Sequence, residues 1–132
     1  MALAGAVFRG IEATGDPGAR VFMDAAELRR CLHDMILNAV EASRDAAQPC
    51  IGIAIAGGDR RVAIHIADNG RGVAAQDREA IFHGQSTKTP PGGMGLSHAR
   101  RAIEAYSGRV QVRESTPWER TAFEIDLCRV PS

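Results

Sequence analysis

The sequence predicts an α+β domain, a two-layer α/β sandwich in which a mixed, mostly antiparallel sheet carries helices on one face. Strand-like alternations of apolar residues outnumber helical patterns, and most neighbouring strand patterns are joined by tight-turn residues. The two helical patterns are amphipathic, so each has one side to bury. The 132 residues suit a single domain spanning 1–132, and 45% hydrophobic content is enough for a core.

Composition excludes several classes of function. The 16 basic residues balance the 16 acidic ones, which gives no support for a nucleic-acid partner or for direct membrane contact. The three cysteines are widely spaced without a CxxC pair, so neither a disulfide framework nor a zinc site is expected. No apolar run approaches the roughly 20 residues of a membrane helix. We therefore expect a cytoplasmic protein, or a cytosolic piece of a larger protein.

The first half of the chain alternates between short strands and one long helix. Residues 5–12 and 20–23 are predicted as strands joined by a turn over 14–18, which is rich in Gly and Pro. Asp24 is a candidate N-cap, with Glu27 three residues later as in a capping box. Apolar residues then recur at helical spacing to about residue 43 or 44, namely Leu28, Leu32, Met35, Ala39 and Ala42.

The second half is predicted as two hairpins around a helix. Isoleucines at 51, 53 and 55 and apolar residues at 62, 64 and 66 alternate on either side of a turn at 57–59. Residues 74–80 are predicted as a short helix or turn, and residues 89–93 as irregular. A helix from about Leu96 to Ser107-Gly108 follows. Strands around 110–112 and 123–127, with a turn near Pro117, complete the chain.

The stretch Asp68-Asn69-Gly70-Arg71-Gly72 follows the strand that ends the first hairpin. A carboxylate at a strand end can accept a hydrogen bond from an amino group on a flat ring. Glycines at 70 and 72 allow backbone to approach such a ring, where a side chain would collide. The alternative is an ordinary Asp-Asn-Gly turn.

Asp34 and Asn38 are four residues apart, so they share a face of the first helix. The oxygen of an asparagine side chain is a hard ligand suited to magnesium. The alternative is a solvated helix face.

Two further segments carry phosphate-binding chemistry. Phe82 precedes Ser86, Thr87 and Lys88, the last being the only lysine of the chain. Hydroxyls and an ammonium group bind phosphate, although an ordinary surface loop is the alternative. Gly93, Gly95 and Leu96 form a glycine-rich entry to the second helix, where free amides and the helix dipole attract anions.

Taken in order, these segments resemble the GHKL, or Bergerat-fold, family of ATP-binding domains, which includes sensor histidine kinases, gyrase, MutL and heat-shock chaperones. Asn38 is similar to the asparagine of the family's N box, and Asp68, Gly70 and Gly72 to its first glycine box. Phe82 with residues 86–88 resembles the F box of histidine kinases, and Gly93, Gly95 and Leu96 the second glycine box. The segments RRAIEAYSGRVQVRES and TAFEIDL resemble the closing helix and hairpin of histidine kinases in particular.

The resemblance implies the catalytic domain of a two-component sensor histidine kinase. Such a domain uses ATP and magnesium to phosphorylate a histidine on a separate dimerisation domain, and a response regulator acts downstream. It implies that Asp68 reads adenine and that Asn38 is the protein ligand of magnesium. Catalytic roles fall to Asp34, Asn38 and Lys88. The implied nucleotide contacts are Asn38, Asp68, Gly70, Gly72, Ser86, Thr87, Lys88, Gly93, Gly95, Leu96 and Thr121.

Departures from the family pattern leave alternatives open. Pro91 and the short loop before it predict a short, stiff ATP lid, and Asp34 stands where hydrolytic members carry a longer glutamate. His33 precedes an acidic residue but lies within the N box, so we expect a structural histidine and no phosphoacceptor. The alternatives are an anti-sigma-type serine kinase, which would lack the closing hairpin, and a nucleotide-binding module without catalysis. A GHKL ATPase clamp would need a transducer domain, for which 132 residues leave no room.

Overall fold

The computed structural model describes residues 2–3, 6–7, 10–15, 18–44, 46, 48–70, 76, 82, 94–113 and 121–130. The strands are β1 (Ala2–Leu3), β2 (Ala6–Val7), β3 (Gly10–Gly15), β4 (Cys50–Gly57), β5 (Arg61–Asp68), β6 (Arg109–Arg113) and β7 (Thr121–Cys128). The helices are α1 (Ala25–Ser43) and α2 (Met94–Ala105). The predictions for residues 83–90 and 91–93 and for the turn near Pro117 lie outside the described residues, and of residues 74–80 only Gln76 is described.

One mixed sheet of five strands organises the domain, in the order β3-β4-β5-β7-β6. β3 runs parallel to β4, and every other neighbouring pair in this sheet is antiparallel. β1 and β2 form a separate antiparallel pair. The predicted α+β class with a mixed, mostly antiparallel sheet is therefore confirmed.

The core lies between the sheet and the two helices. Alternate residues of β5, namely Val62, Ile64 and Ile66, are buried, and their cross-strand partners on β7 are fully buried as well. α1 packs on β4 and β5, α2 packs on β6, and the helices pack on each other. The residues that alternate with these buried ones lie on the opposite face of the sheet. On that face, Arg113 forms an ion pair with Glu124 at 2.7 Å, which lowers the pKa of the Glu124 carboxyl. The alternation in the sequence therefore indicates the buried face correctly.

Helix α1 begins as the sequence predicts. Asp24 is its N-cap, and its Oδ2 accepts a hydrogen bond from the Glu27 amide at 3.0 Å. The carboxylate of Glu27 lies beside Tyr106, the residue after α2, and raises the pKa of the Tyr106 hydroxyl. Glu27 therefore links the start of one helix to the end of the other.

The predicted strand over residues 20–23 is wrong. Val21 makes a single β-bridge, to Arg129, and two backbone hydrogen bonds flank it: Phe22 N–H donates to Cys128 C=O, and Val130 N–H donates to Arg20 C=O. The strand before it also continues through Thr14 and Gly15, which the sequence analysis assigned to a turn. β3 extends because it pairs in parallel with β4, a partner distant in sequence.

Helix α2 begins at Met94, two residues before the predicted start at Leu96, and ends close to the predicted position. The residue with left-handed backbone at its C-terminus is Ser107, with φ of 63°. The next amide, Gly108 N–H, donates to Ile103 C=O at 3.0 Å and closes the helix. A Cβ at Gly108 would lie 2.8 Å from the backbone carbonyl oxygen of Asp126, as well as 2.6 Å from Ile103 Cγ2 and 2.7 Å from Leu127 Cδ2, so the glycine is required by packing.

The three cysteines are free: Cys31 is buried, and Cys50 and Cys128 are half-buried. Burial raises the pKa of the Cys31 thiol, and the nearby carboxylates of Asp34 and Glu27 add to this effect. Neither described helix combines the length and the apolar character needed to cross a bilayer.

Candidate functional site

Asp68 is a fully buried carboxylate at the last position of β5. Its Oδ1 accepts a hydrogen bond from the Gly70 amide at 2.9 Å, and its Oδ2 is also shielded from solvent. In the sheet it lies opposite Ile51 of β4 on one side and Thr121 of β7 on the other. Two predicted site residues, Asp68 and Thr121, are therefore paired across neighbouring strands.

Gly70 packs against the last turn of α1. A Cβ at this position would overlap the carbonyl group of Ala42 and lie 2.8 Å from the amide nitrogen of Ser43. All of these are backbone atoms of a helix, which cannot rotate away as a side chain can. The sequence predicts a glycine here for the approach of a flat ring, and contact with α1 is a second and independent requirement.

Asp34 and Asn38 lie on the ridge of α1 that continues to Ala42, since the three residues are spaced four apart. Both polar side chains are half-buried. Four residues advance a helix by about 6 Å, so Asn38 lies about one turn from the point where the Gly70 loop contacts α1. This packing brings the two predicted segments, the N box and the first glycine box, to the same end of the sheet.

His33 lies on the surface of α1, with 68% of its side chain exposed. Its Nδ1 is 3.8 Å from Oδ1 of Asp34. The surface position agrees with the interpretation that this histidine is structural.

Phe82 is an aromatic anchor, as the sequence analysis suggested. Its side chain is 3% exposed and makes an edge-to-face contact with Phe123, with ring centroids 6.0 Å apart. The guanidinium of Arg100, on α2, lies 4.8 Å from the ring centroid of Phe82. This cation–π contact holds the residue that precedes the predicted phosphate-binding segment against α2.

The remaining predicted site residues divide into two groups. Gly95 and Leu96 are in the first turn of α2. The Leu96 side chain is 5% exposed and belongs to the core, so a nucleotide contact from Leu96 would have to use its backbone. The others lie outside the described residues and stay predictions: Gly72, Ser86, Thr87, Lys88 and Gly93.

Asn69 was not predicted as a site residue. Its Oδ1 accepts a hydrogen bond from the Cys50 amide at 3.0 Å, and its Nδ2 donates to the Gln48 carbonyl at 2.8 Å. The only local signal was the turn-like Asp-Asn-Gly sequence, which does not indicate these partners. Asn69 therefore connects the glycine turn to the start of β4.

The donor set fits a hard cation only in part. Within the described part of the chain, no group of three or more His, Cys, Asp or Glu residues could hold a metal. The Asn38 amide oxygen is the kind of ligand that magnesium accepts, but an ion there would need further oxygens from a bound phosphate. A buried carboxylate beside a glycine turn, with an amide about one helical turn from the point where that turn contacts α1, suits a phosphorylated ligand that carries an amino group on a ring.

Comparison with known proteins identifies the family. The family model described as histidine kinase-, DNA gyrase B- and HSP90-like ATPase matches residues 23–131. The chain therefore belongs to this family of ATPases, which confirms the resemblance stated above.

Curated relatives include the sensor histidine kinase YcbM of Bacillus subtilis, 31% identical, with 92% of this chain and 42% of that protein covered. The C4-dicarboxylate transport sensor protein DctB of Rhizobium meliloti is 31% identical over 83% of this chain and 18% of that protein. The chain thus spans less than half the length of these relatives.

Solved structures show the same fold. The mycobacterial sensor histidine kinase MprB superposes with a TM-score of 0.80 at 24% identity, covering 92% of this chain and 83% of that one. Full-length ShkA, crystallised in complex with AMPPNP, superposes with a TM-score of 0.74 at 26% identity, covering 93% of this chain and 26% of that one. The likeness to histidine kinase domains confirms the predicted fold class.

Proposed function

We propose that this chain is the catalytic, ATP-binding domain of a two-component sensor histidine kinase. It binds ATP with Mg²⁺ and presents the γ-phosphate to a histidine on a dimerisation domain, from which a response regulator is phosphorylated. The family of ATPases supports the nucleotide, and the curated relatives, which are sensor kinases, support the signalling role.

The observation that carries the proposal is the buried carboxylate of Asp68, bonded to the Gly70 amide at 2.9 Å. Burial makes a carboxylate costly unless it is hydrogen-bonded, so a fixed and shielded acceptor at a strand end is a specific feature. Such an acceptor pairs with the exocyclic amino group of adenine. Guanine carries a carbonyl at the corresponding position, so the same carboxylate would repel it.

The phosphate end of the site is assigned to the other predicted residues. Asn38 supplies an oxygen to Mg²⁺, which neutralises phosphate charge when it is bound. Lys88, Ser86 and Thr87 contact the phosphates, and Gly72, Gly93 and Gly95 allow backbone to approach the nucleotide. Leu96 contributes its backbone in the first turn of α2, and Thr121 contacts the nucleotide beside Asp68. Asp34 orients the accepting imidazole or a magnesium-bound water.

The closing strands favour a histidine kinase over an anti-sigma-type serine kinase. β6 and β7 are paired antiparallel over residues 109–113 and 122–126, and the serine kinases were expected to lack this hairpin. A nucleotide-binding module without catalysis remains the second candidate, because nucleotide binding alone does not require phosphoryl transfer.

Titration calorimetry with ATP tests the assignment of Asp68. Asp68→Asn keeps the size of the side chain but replaces one acceptor oxygen with a donor that faces the adenine amino group. Loss of a charge-assisted hydrogen bond costs about 1.5–3 kcal/mol, which corresponds to roughly a 10- to 150-fold higher Kd. Asp59→Asn is the matched control, because Asp59 is exposed in the β4–β5 turn at the opposite end of β5. Equal affinity in Asp68→Asn and wild type would remove Asp68 from the site.

A transfer assay separates the two candidates. Radiolabelled ATP and Mg²⁺ are incubated with this chain, with and without a histidine-containing dimerisation domain. A histidine kinase domain puts acid-labile, alkali-stable label on the added domain and none on this chain. Label on His33 would contradict both the proposal and the structural role of that residue. Intact ATP binding without transfer to the dimerisation domain native to this protein would favour the non-catalytic module.

A further inference from the structure

Asn69 makes the hydrogen bonds of a peptide group with its side chain. The last β4–β5 pair is Ile51 with Asp68, so a continuing ladder would place Cys50 opposite Asn69. At that position, the Asn69 side-chain carbonyl accepts from the Cys50 N–H at 3.0 Å, and its NH₂ group donates to the Gln48 carbonyl at 2.8 Å. The side-chain amide thus makes the hydrogen bonds to the Cys50 N–H and the Gln48 carbonyl that the backbone of a continuing strand would otherwise make.

This substitution of side chain for backbone frees the main chain to leave the sheet directly after Asp68. The departing backbone turns back on the Asp68 carboxylate through the Gly70 amide, at 2.9 Å. It then reaches the last turn of α1, where Gly70 meets the backbone of Ala42 and Ser43 too closely for any side chain. Three consecutive residues therefore connect β5, β4 and α1, each through a different contact.

We propose that Asn69 is a positioning residue for nucleotide binding. It holds the turn so that the Asp68 carboxylate and the Gly70 amide keep a fixed place relative to α1, the helix that carries Asn38. This inference rests on the proposed function, because it assigns Asn69 an effect on ATP affinity that is exerted through Asp68. The role requires the side-chain amide of Asn69, because one group must accept from the Cys50 N–H and also donate to the Gln48 carbonyl.

The isosteric variant Asn69→Asp tests the requirement for the donor. At neutral pH the introduced carboxylate still accepts from the Cys50 amide but faces the Gln48 carbonyl without a proton to donate. We expect the Kd for ATP to rise about tenfold relative to wild type.

A stability-matched control separates positioning from a general loss of stability. Val110→Ala removes buried methyl groups from β6, an edge strand separated from β5 by β7. It should lower the melting temperature and leave the Kd for ATP unchanged. The Kd values of both variants are measured at a temperature at which circular dichroism shows folded protein. If Asn69→Asp does not fold, Asn69→Ser takes its place, because a shorter hydroxyl cannot serve both partners and should also weaken binding.

The outcomes distinguish this inference from the proposed function. Weakened binding in the Asn69 variant, with an unaffected Val110→Ala control, supports the positioning role. Wild-type affinity in the variant at neutral pH, or equal weakening in Val110→Ala, would overturn it. In both cases, ATP binding by wild type and its loss in Asp68→Asn leave the proposed function standing. Absence of ATP binding by wild-type protein overturns the proposed function itself.

Discussion

Replacing Gly70 with alanine is the smallest change that tests how the glycine turn is held. The added Cβ would overlap the carbonyl group of Ala42 and lie 2.8 Å from the amide nitrogen of Ser43. The Ser43 contact alone requires a movement of about 0.6 Å, the difference between 2.8 Å and the 3.4 Å at which ordinary contact begins, and the overlap with the Ala42 carbonyl requires more. Movement of Gly70 also weakens the 2.9 Å hydrogen bond from its amide to Asp68.

The expected loss of stability follows from these contacts. Overpacking against a rigid backbone costs about 1–3 kcal/mol, and a hydrogen bond to a buried carboxylate contributes about 1.5–3 kcal/mol. Alanine restricts the unfolded chain and returns about 0.4–1 kcal/mol. The net decrease in the free energy of unfolding is about 3 kcal/mol, which for a domain of this size lowers the melting temperature by roughly 10 °C.

Thermal unfolding followed by circular dichroism, together with titration of ATP, measures both consequences. Gly58→Ala is the matched control: among the described residues its Cβ would meet only the Arg61 carbonyl, at 3.3 Å, in the exposed β4–β5 turn. We expect the control to stay within about 1 kcal/mol of wild type and to bind ATP normally. A melting temperature for Gly70→Ala within about 2 °C of wild type would refute the argument that contact with α1 excludes a side chain at this position.

Three further predictions concern the helix face and the open face of the sheet. Asn38→Ala should bring the Kd for ATP measured with Mg²⁺ to the value measured with EDTA; a magnesium effect that survives would exclude Asn38 as the ligand. Asp34→Ala should slow transfer to a supplied dimerisation domain, because a half-buried carboxylate one turn before Asn38 is lost. Normal transfer and normal ATP turnover would leave Asp34 without a catalytic role. Arg113→Met should destabilise the domain by about 0.5 kcal/mol at neutral pH. Arg113 lowers the pKa of Glu124 in the folded state, and a lowered carboxyl pKa stabilises the folded protein at pH values above the unfolded pKa of about 4.3. Denaturant titrations should show this difference vanishing as the pH falls through the folded pKa of Glu124, and a constant difference would contradict the linkage.

The elements of this fold could be predicted because their signals are local. Side chains repeat every 3.6 residues in a helix and every two in a strand, so the positions of apolar residues indicate which face is buried without knowledge of the partner. This was sufficient for α1 with its Asp24 cap, for the β4–β5 hairpin and for the two closing strands. It failed at residues 20–23, because pairing depends on which distant strand is available, and β3 pairs with β4.

The sequence by itself determined the family and predicted the residues of the candidate site, since motif residues and their order are properties of the chain. Only the tertiary structure decided how they are held. The contact of Gly70 with α1, the bonds from Asn69 to the start of β4 and the burial of Leu96 in the core join residues that are far apart in the chain. A local pattern carries no information about such approaches, because backbone contact and burial depend on the whole packed arrangement.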